Sequence, residues 1–368
     1  MTTEGVCMKR AIITGATGAI GMALIKMLVE KNIEVLAITR PDSKRNDRLK
    51  KLADCYSASS DNKFEILEWD FSKLSELENN TGKDWDVFFH LAWAGASGAG
   101  RNDMYLQNGN VRMSLDAVAL AKRFGCRKFV GAGSQAEYGR PYLRAFFDMA
   151  AGNIFDEGSV EESDNESNND FDNQKIISRI CSLNDREEFR LTPHTPTFPE
   201  MGYGYAKLCS GYMTRDYAQQ LGLEHNWLRI LSVYGPYDGD NSMMMQAIKG
   251  FVDGISPDFT KGEQIWDYVY SKDAARAFYD VAENGISGKT YVLGSEEERP
   301  LAEYLTIARD IICPGLELKL GTRPYGDNQV MFLVADSSEL KKDTGFECRY
   351  SFEDGIRETA DWVCSLNQ

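Results

Sequence analysis

Near its start the chain runs a β-branched stretch straight into three evenly spaced glycines, Arg10-Ala-Ile-Ile-Thr-Gly-Ala-Thr-Gly-Ala-Ile-Gly21. A glycine where a strand ends allows a tight bend, and one at the start of a helix lets a pyrophosphate approach backbone N–H groups and the positive helix end. Glycines that serve tight packing alone do not require a strand before and a helix after, and both are expected here. Gly15, Gly18 and Gly21 therefore predict a dinucleotide site, with Thr17, Ala19 and Ile20 between them.

The same alternation continues downstream. Short apolar runs at 33–39, 64–69, 86–92 and 126–132 are separated by helix-length stretches, one of them helix-like from Asn110. That pattern predicts βαβ units in an α/β fold, a Rossmann doubly wound parallel sheet over residues 8–235. Order is interrupted between Asp156 and Asp172, where eight acidic residues occur with no Lys or Arg. Low hydrophobicity with one-signed charge cannot offset chain entropy, so a weakly ordered insertion is expected at 141–190. It also accounts for eight of the net fifteen negative charges left by 56 Asp plus Glu against 41 Lys plus Arg. No basic stretch supplies a nucleic-acid surface.

A helix is expected over about 203–220 and a strand over 225–233, and residues 236–368 then form mainly a smaller α/β substrate domain with segments returning to the first. No apolar run reaches membrane-spanning length, and the first ten residues lack the apolar core of a signal peptide, so a cytoplasmic protein with no membrane contact is expected. Eight scattered cysteines form no C-x-x-C pair, and His90, His194 and His225 have no ligand spacing. Reduced thiols and no metal follow.

The end of the second strand selects between cofactors. An Asp or Glu there serves the ribose hydroxyls of NAD, whereas this chain has Thr39-Arg40-Pro41-Asp42-Ser43-Lys44-Arg45. Arg40 with Lys44 or Arg45 suits a 2′-phosphate, so NADP is preferred over NAD. Asp70, after the third strand, either meets the adenine amino group or caps a turn.

Tyr203 and Lys207 stand four apart at a helix start, which puts both on one face. A tyrosine with a pKa near 10 is a poor acid–base group at neutral pH, and a neighbouring ammonium favours its phenolate. Ser134, just beyond the fifth strand, is placed to hold a substrate carbonyl or alkoxide.

Taken in order, TGATGAIG (14–21), HLAW (90–93), Asn110, the GSQAEYG turn, YGYAK and LRILSVYGP (228–236) resemble the extended short-chain dehydrogenase/reductases, in the branch acting on nucleotide sugars. The resemblance implies catalytic roles for Ser134, Tyr203 and Lys207. It implies a cofactor site lined or braced by His90, Leu91, Ala92, Trp93, Asn110, Phe71 and Val233 besides the residues above, and a homodimer. A nucleotide-diphospho sugar would meet Trp93, Ser134, Gln135, Tyr203, Trp266 and Arg323. The stretch from Ser134 to Tyr203 exceeds the family's usual spacing by about the length of the insertion.

Four departures matter. The 4,6-dehydratases of this branch carry Asp-Glu after the catalytic Ser/Thr, because eliminating water needs an acid and a base at neighbouring carbons; here stand Gln135 and Ala136. Trp266 occupies a position where these enzymes often have a phosphate-anchoring arginine, and Ser232 one where Asn is common. Arg323 resembles a diphosphate arginine, one residue too far from Asp327. The expected function is reduction of a 4-keto sugar nucleotide with Tyr203 as proton donor. The alternatives are a 4-epimerase with retained NAD and, in another class, a non-catalytic dinucleotide-binding sensor or scaffold.

Overall fold

The computed structural model describes residues 7–57, 64–139, 190–326 and 329–366. The insertion expected at 141–190 lies outside these residues apart from Arg190, as does Asp327. The early strands are β1 (Arg10–Thr14), β2 (Glu34–Thr39), β3 (Phe64–Glu68), β4 (Val87–His90), β5 (Lys128–Ala132) and β6 (Glu224–Ile230). The chain then crosses to a second sheet, where β7 (Ser232–Tyr234) pairs with β8 (Ile265–Tyr270), and returns through β9 (Thr290–Leu293). The large sheet has seven parallel strands in the order β3-β2-β1-β4-β5-β6-β9. β10 (Glu298–Pro300) and β11 (Phe332–Leu333) flank β8 in the small sheet.

The helices are α1 (Ala19–Glu30), α2 (Asn46–Ser57), α3 (Met104–Arg123), α4 (Gly202–Gln220), α5 (Met243–Val252), α6 (Ser271–Asn284), α7 (Leu301–Ile312), α8 (Ser338–Thr344) and α9 (Phe352–Leu366). Successive strand residues face opposite sides. Ala11 and Ile13 therefore join Leu24 and Leu28 of α1 and Phe278 of α6 in one core, while Ile12, Phe88 and Phe129 join Ala117 and Val118 of α3 in another. A third core packs Met244, Phe251, Tyr304, Phe352 and Ile356 of α5, α7 and α9 around Tyr234 and Tyr270 of the small sheet.

Two elements differ from expectation. The apolar run 225–233 is not one strand. It breaks at Leu231, whose N–H donates to Leu293 O, and the two halves serve different sheets; neither half is solvent-exposed around the break, so hydropathy alone shows no seam. Helix α3 starts at Met104, well before Asn110, because the Asp103 carboxylate caps the N–H groups of Tyr105 and Leu106. Its first turn leaves Met104, Tyr105 and Leu106 exposed, which hides the helical period.

The glycines of the first turn are required for different reasons. Gly15 has φ +75°, and a Cβ there would fall 2.4 Å from the carbonyl carbon of Leu91. A Cβ on Gly18 would find Gly15 O at an ordinary 3.7 Å. Gly15→Ala should therefore destabilise the cofactor-free protein by about 2–4 kcal/mol, combining backbone strain and overpacking. Gly18→Ala should stay within about 1 kcal/mol. Denaturant unfolding of both variants measures the contrast.

Candidate active site

At the carboxyl ends of β1, β2 and β4 lies a cavity of about 560 Å³ whose lining includes Gly15, Thr17, Gly18, Arg40, Phe71, Leu91, Ala92 and Trp93. Ala19, Ile20 and Gly21 lie behind this wall in the first turn of α1. Asp42, Ser43, Lys44 and Arg45 line it too, so both cations and a carboxylate stand at the end of the cavity beyond β2. Asp42 was not singled out in the sequence because it falls three residues past the strand end.

Asp70 is not among the lining residues. Its carboxylate accepts from the N–H and the hydroxyl of Ser72, both at 2.9 Å, and those hydrogen bonds hold it below the usual carboxylate range. It is a turn cap. Asn110 braces the wall without lining it: Oδ1 accepts from Ala94 N–H and Nδ2 donates to Ala94 O. His90 bridges the hydroxyls of Thr14 and Ser114, with burial, then Lys207, pushing its pKa down to about 3. Val233 pairs with Val269 across the small sheet and is not a lining residue.

Ser134, Tyr203 and Lys207 come together. Ser134 caps the short 3-10 turn Gln135–Glu137, its Oγ accepting from Ala136 N–H. Tyr203 and Lys207 lie one turn apart in α4, both buried, and Trp93 meets the Tyr203 ring edge-to-face at 5.9 Å. The Lys207 ammonium donates to Ala132 O at 2.6 Å and sits 3.7 Å from the Trp93 ring centroid. Burial lowers its pKa to about 7.

The expectation that Lys207 governs the Tyr203 phenol needs correction. Burial pushes that phenol up, a hydrogen bond with Ser134 and the charge of Arg101 pull it down, and Glu137 raises it. Lys207 Nζ is 5.9 Å from the Tyr203 ring centroid, drawn off toward Ala132 O, whereas the Arg101 guanidinium is at 4.3 Å. Neither Arg101 nor Glu137 stood out in the sequence. Glu137 is a charged residue in a turn, which ordinarily faces solvent; here it is buried against Arg229, with Nε to Oε2 at 2.7 Å.

A second cleft, about 460 Å³, is lined in part by Arg101, Gln135, Ala136, Glu200, Met201 and Trp266. Trp266 donates from Nε1 to Ser232 Oγ at 2.8 Å, so two of the positions that depart from the expected pattern are bonded to each other. Arg323 is exposed, its N–H on Phe259 O, and is not among the lining residues. Among the described residues no His, Cys, Asp or Glu cluster could hold a metal ion, and no helix is long and apolar enough to cross a membrane.

Burial of Lys207 has a pH signature. Between about pH 7 and its unfolded value of 10.5, the unfolded chain holds a proton that the folded one has released. Stability of the cofactor-free protein gains from this group as pH rises through that window, and the gain is absent below about pH 7. Lys207→Met should remove it. Unfolding free energies at pH 7 and pH 9 should show a smaller rise with pH in the variant than in the wild type.

Comparison with known proteins places the chain. Residues 11–294 match the model of the NAD dependent epimerase/dehydratase family. A dTDP-glucose 4,6-dehydratase of Escherichia coli is 28% identical over 186 residues, 46% of this chain and 50% of the relative. Another from Xanthomonas campestris is 28% identical over 192 residues, 48% and 53% of the two chains. The chain thus spans about half the length of the curated relatives it matches. Among solved structures, the UDP-glucose 4-epimerase of Thermotoga maritima with UDP-glucose superposes with a TM-score of 0.72 at 18% identity, covering 98% of this chain and all of the other. The dTDP-glucose 4,6-dehydratase of Bacillus anthracis in complex with NAD gives 0.70 at 17%, covering 97% and 96%. The seven-stranded sheet, the glycine turn and the match over most of its length show that this chain belongs to the NAD dependent epimerase/dehydratase family.

Proposed function

We propose that the protein reduces a 4-keto nucleotide-diphospho sugar with NADPH. The observation that carries this reading is Ser134 and Tyr203 in hydrogen-bond contact, with Gln135 and Ala136 following where a dehydratase needs proton-transfer groups. Neither an amide nor a methyl group can move a proton, which counts against the elimination named for the dehydratase relatives.

A nicotinamide dinucleotide fits the larger cavity. Gly15 and Gly18 line it without side chains, so a pyrophosphate can approach their backbone, and the cations Arg40, Lys44 and Arg45 on the same lining favour a 2′-phosphate. When bound, the dinucleotide supplies the hydride. Tyr203 donates a proton to the sugar O4 as negative charge develops there, and the Ser134 hydroxyl orients the keto oxygen. Lys207, buried beside Trp93, holds the nicotinamide ribose hydroxyls. Gln135 and Trp266 of the second cleft contact the sugar nucleotide. The exposed Tyr105, Tyr212 and Met213 on α3 and α4 support a homodimer.

One observation favours a second reading, a 4-epimerase with retained NAD. Asp42 lines the cofactor cavity and can accept from ribose hydroxyls. Mass spectrometry of the nucleotide released from freshly purified protein separates the two: NADP or an empty site supports the reductase, tightly held NAD the epimerase. Arg40→Ala should weaken NADPH binding about 10–100-fold, the loss of one charge-assisted phosphate contact, and NADH binding by much less. Tyr203→Phe should cut turnover of a 4-keto sugar nucleotide by at least about 100-fold while leaving cofactor affinity within about threefold. Steady-state kinetics and fluorescence titration read these, and an active Tyr203→Phe enzyme would refute the mechanism.

A further inference from the structure

The loop after β4 delivers a cation to the proposed proton donor. Gln107, 1% exposed on α3, donates from Nε2 to Gly95 O at 3.0 Å and Gly100 O at 2.7 Å. These bonds clamp both ends of the glycine-rich stretch. The 3-10 turn Gly98–Asn102 is then fastened to α4, because Gly202 N–H donates to Asn102 Oδ1 at 3.1 Å. Arg101, between those anchors, donates from Nη1 to Ala96 O at 2.9 Å, and its guanidinium carbon lies 4.3 Å from the Tyr203 ring centroid. The guanidinium is half-buried and lines the second cleft, where it is the only basic group among the described lining residues.

We propose that Arg101 is a positioning residue for Tyr203, a permanent positive charge laid on the phenol that favours its phenolate form and fixes the ring's orientation. Two features make Arg101 better suited to this than Lys207. A guanidinium stays charged at every working pH and stacks on an aromatic ring, whereas an ammonium desolvated in a closed pocket sheds its proton. Lys207 is that desolvated ammonium, directed at Ala132 O. The two cations then divide the labour, Lys207 holding the cofactor and Arg101 tuning the phenol. Both Ser134 and Arg101 act on Tyr203 in the same sense, opposing burial and Glu137.

This inference rests on Tyr203 as the proton-transfer group, and its test reads the phenol without any sugar nucleotide. Protein labelled with tyrosine carrying carbon-13 at Cζ is saturated with NADP+, the Tyr203 resonance is assigned by its loss in Tyr203→Phe, and its midpoint is followed with pH. Arg101→Met should raise the midpoint by about one unit or more relative to wild type. Arg101→Lys should restore most of that shift, since it keeps the charge. NADP+ affinity should stay within about threefold, and in turnover assays the limb of the kcat–pH profile governed by Tyr203 should move in the same direction. A midpoint unchanged in Arg101→Met, with thermal stability alone reduced, overturns the proposal, as does a wild-type Tyr203 still protonated at pH 11. Should Arg101→Met not fold, Arg101→Gln carries the same expectation. Retained turnover in Tyr203→Phe would overturn the reductase reading, whereas the phenol midpoint in Arg101→Met is read whatever that outcome, so the two can fail separately.

Discussion

One buried carboxylate holds the centre of this protein together. Glu137 is 1% exposed, and its Oε1 accepts from the Ser134 N–H at 2.9 Å and from Trp227 Nε1 at 3.0 Å, while Oε2 accepts from Arg229 Nε at 2.7 Å. Trp227 and Arg229 are two apart on β6 and so face the same side. The pairing fastens the turn after β5 to the neighbouring strand. Arg229 also donates to Pro193 O and lies against the Tyr138 ring, whose hydroxyl donates to Thr192 O. The segment that resumes at 190 is thereby tied to the same hub. Gly133 is small for this reason: a Cβ there would fall 2.5 Å from Trp227 Nε1 and 2.7 Å from Glu137 Oε1. A buried charge with all partners in place specifies one arrangement, and one deprived of a partner costs about 3–5 kcal/mol.

The low dielectric that makes this hub firm also sets the character of Lys207. Its ammonium has one carbonyl and aromatic faces for company, with Glu137 as the negative group acting on it through space. Such a group is poised to gain polar partners. Trp93 stands between the two spaces, lining the dinucleotide cavity and touching the Tyr203 ring by its edge. Gln107 keeps it there by accepting from its Nε1 at 2.9 Å.

What the sequence discloses depends on whether a signal is local. The glycine turn, the parallel strands and the Tyr203–Lys207 spacing are local, since periodicity and backbone sterics act over a few residues; the strands at 11–14 and 33–39 were visible for that reason. The break at Leu231 was not, because a change of sheet alters the partner and leaves the hydropathy unchanged. Asp70 could equally have faced a ligand or capped a turn in the sequence, and the bonds it makes to Ser72 become visible only in the fold. Glu137 and Arg101 were hidden in another way. A lone acid or base in a turn carries no sequence mark of burial or of an aromatic partner, and their roles come from β6 and α4, 92 residues from Glu137 to Arg229.

The same non-local logic explains why the departures from the dehydrogenase/reductase pattern come as a set. With an arginine at position 266, a cation would point into the second cleft from β8. The tryptophan found there is instead hydrogen-bonded to Ser232, on β7, through a register that places Ser232 beside Tyr268. Among the described lining residues Arg101 is the cation that remains, and it is supplied from the turn before α3. The positive charge of this cleft thus comes from the loop that also packs on Tyr203. An anion entering this cleft would compete with the Tyr203 ring for that one guanidinium.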